Sequence, residues 1–352
     1  MSKKIIEHAR PSESFWVRNR KSGGYLLKKT IGNKAYKFIR FLLLFGLCFM
    51  IVQPLLSKIS VSFMTELDLY DSTIISIPRH LTVENYTTAA LPALLNYGKS
   101  LTNTLVISLC VSLLQVASAT LVGYGFARFN FPLKKFWFFA VILTVVIPPQ
   151  TISTALHLTF SHFNPLGIVG MFNGGEEISL LSSKFYISLF GLTHVPLPYF
   201  LMSATCMGLK NGLYIYMIRQ FFAGVPQSLE EAAYVDGCST FKTFWKVILP
   251  DAVPILVSCF LFAFVWQWTD TFYTKMFIRD TSLPMLSMKL SGIAEALSKY
   301  LESIRGTGNV ATMGHKQQFV STGTLMVIAP LLLLYLFAQK GFVESISSTG
   351  LK

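Results

Sequence analysis

Long apolar runs separated by short charged stretches make up most of this chain. They fall near residues 39–63, 100–127, 136–160, 253–278 and 321–341. A helix needs roughly 20 apolar residues to cross the hydrocarbon core of a bilayer, so each run is long enough for one crossing. The region 185–223 is also apolar, but Pro196, Pro198, Lys210, Asn211 and Gly212 interrupt it. One span near 197–223, entered by an irregular segment, is the preferred reading; two spans would reverse the topology downstream. Backbone polar groups must be satisfied within lipid, so the runs are helices. The strict alternation of a membrane barrel is absent. The expected fold class is all-α, a polytopic membrane protein with about six transmembrane helices.

Composition agrees with the pattern. Of 352 residues, 52% are hydrophobic and 13% charged, against about 25% charged in soluble domains. The net charge of +13 would suggest nucleic acid in a soluble protein. Here much of it sits in residues 1–40, at Lys3, Lys4, Arg10, Arg18, Arg20, Lys21, Lys28, Lys29, Lys34, Lys37 and Arg40. A basic run beside a first span places the N-terminus in the cytoplasm and faces lipid head groups, so no nucleic-acid partner is implied. Six spans then give a basic cytoplasmic segment 1–38, a first transmembrane helix 39–63 and an extracytoplasmic loop 64–98. A five-helix region 99–341 follows, with an inner loop at 224–252, and then a cytoplasmic tail 342–352. Arg128, Lys134 and Lys135 make a short basic inner loop, as this orientation requires. The first apolar run starts too late and is too long for a cleavable signal peptide. Cys48, Cys110, Cys206, Cys238 and Cys259 lack metal-ligand spacing and read as small buried hydrophobes; no metal is expected.

The inner loop carries its own pattern. Ser228 followed by Glu231 reads as a capping box that opens a helix. Leu229, Ala232 and Ala233 are expected on one side of it, and Gly237 at its left-handed end. Ser239 or Thr240 can cap a second helix. There Phe241, Phe244, Trp245 and Ile248 recur at helical spacing as one apolar stripe, expected to pack beneath the membrane bundle. Lys242 and Lys246 lie on another face, Pro250 stops the helix and Pro254 opens the next span. The pattern by itself fits an interfacial helical hairpin as well as a docking surface.

The same residues resemble the EAA motif of the membrane subunits of binding-protein-dependent ABC importers. The motif is Glu-Ala-Ala, three residues, Gly, nine residues, an aliphatic residue, one residue, Leu-Pro. Here it reads Glu231-Ala232-Ala233, Gly237, Val247 and Leu249-Pro250, with Val247 in place of the usual isoleucine. Leu81-Thr82-Val83-Glu84-Asn85-Tyr86, Gly123-Tyr124-Gly125-Phe126-Ala127-Arg128-Phe129, Ile147-Pro148-Pro149-Gln150 and Arg219-Gln220-Phe221-Phe222 resemble phrases of the maltose-type subfamily, in its order. The likeness covers roughly residues 80–352; the stretches 1–40 and 168–195 look longer than usual. It implies a type I ABC importer transmembrane fold over 99–341 at the plasma membrane, with both termini cytoplasmic. It assigns ATPase coupling to Glu230, Glu231, Ala232, Ala233, Asp236, Gly237, Leu249 and Pro250, with Glu231 as the polar contact. It further implies a second permease subunit in a heterodimer, two cytoplasmic ATPases, an extracytoplasmic binding protein and a sugar or oligosaccharide substrate. ATP and magnesium would bind the partner ATPase, and no cofactor would bind this chain.

Other signals are weaker. Gly98-Lys99-Ser100 ends like a phosphate-binding loop, but position 93 is Ala93 and no strand leads in. His157 and His162 lack the spacing and glutamate of a zinc helix. No nucleophile–base set is visible, so no catalytic residue is assigned. Asn85-Tyr86-Thr87 is a sequon that also arises by chance. Polar groups in spans are costly and mark pathways, which nominates Trp266, Gln267, Trp268, Asp270 and Asn103 to line a substrate path; an interfacial aromatic belt is the alternative. Against the importer stand a self-sufficient secondary transporter or channel, an importer subunit for a non-sugar solute, and a membrane-embedded enzyme. No paired repeat of broken, charged helices supports the first of these.

Overall fold

The computed structural model describes Trp16, Arg20 and residues 23–71, 73–74, 77–164, 178–181, 186–189, 192–278, 283–306, 308 and 311–350. Residues 1–15 and much of the 168–195 stretch lie outside the described residues. The chain divides into two compact units, Met1–Ser60 and Val61–Lys352.

Most of the described residues of the first unit lie in one helix, α1 (Tyr25–Ser62). Its start precedes the apolar run, because Lys28, Lys29, Lys34 and Lys37 are good helix formers. Phe41, Leu44, Phe45, Phe49 and Ile51 all point outward, as a lipid-facing helix requires.

The second unit begins with two short helices, α2 (Glu66–Tyr70) and α3 (Glu84–Ala89). Its spine is α4 (Tyr97–Arg128). One face of α4 buries Ser108, Ser112, Gln115, Ala119 and Gly123, while Leu105, Leu109, Leu113 and Leu121 face outward. In lipid, apolar surface gains nothing by helix contact, so small residues that permit close approach decide the interface. A Cβ at Gly123 would sit 3.0 Å from Ile218 Cγ2 and 3.2 Å from the Arg219 nitrogen.

The span expected at 136–160 is broken. α5 (Lys134–Val146) ends before Ile147-Pro148, and a 3₁₀ turn (Pro149–Ile152) leads into α6 (Ser153–Ser161) at 103°. Proline at 148 and 149 removes donors and fixes φ, which accounts for the break. A small antiparallel hairpin follows, β1 (Tyr186–Leu189) with β2 (Leu192–Pro196), pairing Ile187 with Val195. It is an addition to the all-α expectation.

The next span is also divided, into α7 (Leu197–Ala204) and α8 (Asn211–Gly224). Both pack along α4. Ser118 Oγ donates to the Ser203 carbonyl at 2.7 Å, and Arg128 Nη2 to the Val225 carbonyl at 2.9 Å. The two pieces therefore descend α4 in one direction, as one interrupted crossing. Cys206 and Lys210 in the interruption have φ of 61° and 62°. α8 meets α5 at Gly212, where a Cβ would collide with Thr144 Oγ1 and approach the Val141 carbonyl to 2.8 Å.

After α8 come α9 (Gln227–Val235), α10 (Thr240–Asp251), α11 (Val253–Thr269) and α12 (Phe272–Phe277). α13 (Leu286–Ser291), α14 (Ile293–Arg305) and α15 (Met313–Gly350) complete the chain. α14 is amphipathic and buries Ile293, Leu297 and Leu301 at four-residue spacing. Among the described residues three helices are long and apolar enough to cross a membrane, or up to five if each bent pair is one span. The divided α7–α8 stretch is not part of that count.

The sequon is structural. Asn85 Nδ2 donates to the carbonyls of Ser62 and Met64, both at 2.9 Å, and the residue is buried.

Candidate functional site

At the Arg128 end of the bundle, α9 and α10 form a hairpin. Its start differs from the sequence expectation. Pro226 occupies the N-cap position, and Ser228 lies within the first turn, making no side-chain cap. Proline holds the preceding backbone extended and lets the helix begin at once, so the Ser228–Glu231 capping box does not form.

The two alanines also part company. Glu230 and Ala233 face the bundle, whereas Leu229, Glu231, Ala232, Tyr234, Val235 and Asp236 are exposed. Gly237 has φ +78°. The Cys238 nitrogen donates to the Ala233 carbonyl at 2.9 Å and the Gly237 nitrogen to the Tyr234 carbonyl at 3.0 Å. These two bonds are the Schellman arrangement, which needs a left-handed residue at that point.

Ser239 caps α10, its Oγ accepting from the Lys242 nitrogen at 3.4 Å. The expected aromatic stripe splits. Phe244 and Ile248 are buried with Thr243, but Phe241 is 72% and Trp245 51% exposed. A π turn spans Phe244–Ile248, and its extra residue per turn takes Ile248 out of the 3.6-residue register with Phe241. Phe241 and Trp245 contact each other at 6.1 Å on the exposed side, together with exposed Lys242 and Lys246. Phe244 packs on the ring of Tyr124, with centroids 4.7 Å apart. Removing the Phe244 and Ile248 side chains from water contributes about 2 kcal/mol each. Leu249 and Pro250 fall in the last turn of α10, and the chain bends by 74° at buried Ala252 into α11.

An ion pair fixes the hairpin to the spine. Arg128, the last residue of α4, places Nε 2.7 Å from Glu230 Oε1, with side chains only 7% and 11% exposed. The same guanidinium holds the Val225 carbonyl at the α8–α9 link. The cation sits at a helix C-terminus and the anion in a helix first turn, both favoured by the helix dipoles. Of the two adjacent acids, Glu230 is the anchor and Glu231 the one presented outward. Sequence reasoning placed Arg128 on an inner loop and missed this pairing.

A second feature lies at the far ends of α8 and α11. The breaks after α5, before α8 and after α11 together line a cavity of about 380 Å³. Its walls include Pro148, Gln150, Lys210, Trp266, Thr269 and Asp270. The proposed path residues divide here. Trp266 is 46% exposed and lines the cavity with Asp270. Asn103 is buried and donates to the Pro284 carbonyl at 2.9 Å, and Trp268 Nε1 donates to the Val327 carbonyl at 3.2 Å. Gln267 is buried away from the cavity, beside Gln115 and Tyr199. None of these three lines the 380 Å³ cavity. Asp270 is itself occupied. Its carboxylate accepts from the backbone nitrogens of Phe272, Tyr273 and Thr274 and from the hydroxyls of Tyr199 and Thr274, at 2.9–3.3 Å. Lys210 and Gln150 also line the cavity; their sequence signals are a lysine inside an apolar run and a Pro-Pro pair.

A bent helical bundle carries an anchored hairpin with an exposed face at one end. Residues 119–347 match the family described as binding-protein-dependent transport system inner membrane component, and the chain belongs to that family. It is similar to the arabinooligosaccharides transport system permease protein AraQ of Halalkalibacterium halodurans, at 25% identity over 87% of this chain and 93% of that protein. It is also similar to a probable ABC transporter permease protein, PH1036, of Pyrococcus horikoshii, at 26% identity over 60% of this chain and 66% of that protein. A chain from the crystal structure of a bacterial ABC transporter involved in import of the acidic polysaccharide alginate shares the fold. The TM-score there is 0.62, at 16% identity, over 88% of this chain and 97% of that one.

Proposed function

We propose that this chain is the membrane-spanning subunit of an ATP-driven importer that moves a sugar or oligosaccharide delivered by an extracytoplasmic binding protein. A separate pair of cytoplasmic ATPases binds ATP and magnesium, and a second, non-identical permease subunit completes the pathway. The subunit lies in the plasma membrane with both termini and the α9–α10 hairpin on the cytoplasmic side. The sugar reading draws on relatives such as AraQ, whose name assigns it arabinooligosaccharides.

The observation that carries the reading is the anchored hairpin: Glu230 clamped by Arg128, and Glu231 and Ala232 turned outward. Two rigid helices join this hairpin to the cavity. α8 starts just after Lys210 and ends just before Val225, and α11 runs from the 74° bend through Trp266 to Thr269, just before Asp270. At 1.5 Å per residue these levers are roughly 20 and 25 Å long. A push on the hairpin by a closing ATPase dimer moves both levers, and with them two walls of the cavity. Purification of a tagged chain from its native membrane tests the reading. Recovery of a Walker-type ATPase in stoichiometric amount is expected; full transport by the purified single chain would reject it in favour of a self-sufficient transporter.

A further inference from the structure

The geometry points to an anionic saccharide, one bearing carboxylates on its sugar rings, as the solute that the 380 Å³ cavity accepts, with Lys210 as the residue that selects for it. The inference rests on the sugar-import reading above and narrows it. Lys210 is the only lysine or arginine among the cavity-lining residues. Its ammonium lies 5.3 Å from the centre of the Trp266 ring, and among the described residues no carboxylate is within ion-pair distance of it. The one acid in the wall, Asp270, is buried and saturated by hydrogen bonds from its own following turn and from Tyr199. Those bonds engage the Asp270 oxygens, and Lys210 is the one cationic donor in the cavity wall.

The chain holds that lysine in place at a cost. Lys210 has φ 62°, a left-handed step also taken by Asn96 (47°) and Leu133 (59°) before α4 and α5 and by Cys206 (61°), in a region that non-glycine residues adopt rarely. The left-handed step ends the interruption and sets Lys210 at the cavity wall, at the start of α8. Beside it are the half-open indole of Trp266 and the amide of Gln150. An indole face suits the C–H surface of a pyranose, an amide pairs with its hydroxyls, and an ammonium pairs with a carboxylate through a charge-assisted bond. A neutral sugar would offer the ammonium no carboxylate and leave it with the Trp266 ring alone.

The test uses the full complex in nanodiscs without binding protein, so that only the membrane path is sampled. Binding of trigalacturonate and of its neutral counterpart galactotriose is measured by titration for wild type, Lys210→Gln and Lys210→Arg. Unfolding midpoints establish that each variant is folded. Wild type should prefer trigalacturonate by about tenfold or more, the factor a charge-assisted bond supplies. Lys210→Gln should erase the preference and Lys210→Arg restore it. Equal affinity in wild type, or a preference that survives in Lys210→Gln, overturns the inference. If galactotriose alone binds, charge selection fails and the sugar-import reading stands. If neither binds while the ATPase co-purifies, the saccharide reading and this inference both fall.

Discussion

Removing either member of the Arg128–Glu230 pair should uncouple the hairpin without preventing membrane insertion. The pair is short and almost fully buried, at 2.7 Å with 7% and 11% side-chain exposure, so solvent screening is small. Breaking a buried pair by removing one partner costs roughly 3–5 kcal/mol, because the remaining charge is left without compensation. Glu230→Gln strands the guanidinium, and Arg128→Met strands the carboxylate and also frees the Val225 carbonyl. Either loss should lower the population of seated hairpin by about two orders of magnitude or more. The double variant Arg128→Met with Glu230→Leu removes both charges and should cost less than the sum of the single changes, with a coupling energy of about 2 kcal/mol or more. The assay is solute-stimulated ATPase activity of the reconstituted complex, with thermal unfolding recorded on the same samples. Single variants whose stimulated activity stays within a factor of two of wild type would refute the reasoning, as would strictly additive losses in the double variant.

Other outcomes follow from single contacts. Gly237→Ala should cost about 1–2 kcal/mol, because the turn needs a left-handed residue and not space; Gly237→Asn should cost less, and the yield of co-purified ATPase should follow that order. Gly212→Ala should destabilise the α5–α8 contact by about 1–3 kcal/mol through overpacking, read as a lowered unfolding midpoint in detergent. The Asp68 carboxyl is held below its ordinary value, first by the hydrogen bond with His80 and then by the His80 backbone N–H. A depressed folded-state value stabilises fully above the unfolded-state value, and that stabilisation is lost as pH falls through the folded one. Acidification below the ordinary carboxylate range should therefore loosen residues 66–80, and His80→Ala should move that loosening to higher pH; amide exchange of the segment at graded pH reads it, and an unmoved onset counts against the assignment.

The bundle was largely legible in the sequence because its signal is composition. α4 shows as an apolar run with small residues on one face, and that property survives any local detail. The breaks were less legible. Pro148 and Pro149 lie in plain view, yet the apolar run continues to Phe160, so hydropathy reads one crossing where the backbone turns by 103°. At the hairpin, the motif located Glu231, Gly237 and Leu249-Pro250, while helical periodicity misassigned Phe241 and Trp245. A π turn has no periodic signature of its own, and a wheel drawn at 3.6 residues per turn cannot anticipate it. Pro226 takes the N-cap position, which leaves Ser228 inside the first turn, where its side chain makes no cap. The Arg128–Glu230 pair was beyond reach for a different reason: its members are far apart in sequence and meet only because α8 descends the face of α4. The path residues show the same limit. Trp266 and Trp268 are near neighbours on one helix, and only packing decides that the first opens to a cavity and the second binds a carbonyl of α15.

The central claim is that the α9–α10 hairpin is the surface through which a soluble ATPase drives the bundle. Glu231→Cys in a background without other cysteines puts a reporter on its outward face. Cross-linking in native membrane vesicles should join this position to the ATPase, with a yield that changes when ATP is added. A cysteine labelled only by reagents from the extracytoplasmic side, or one that never joins the ATPase in either nucleotide state, would contradict the account.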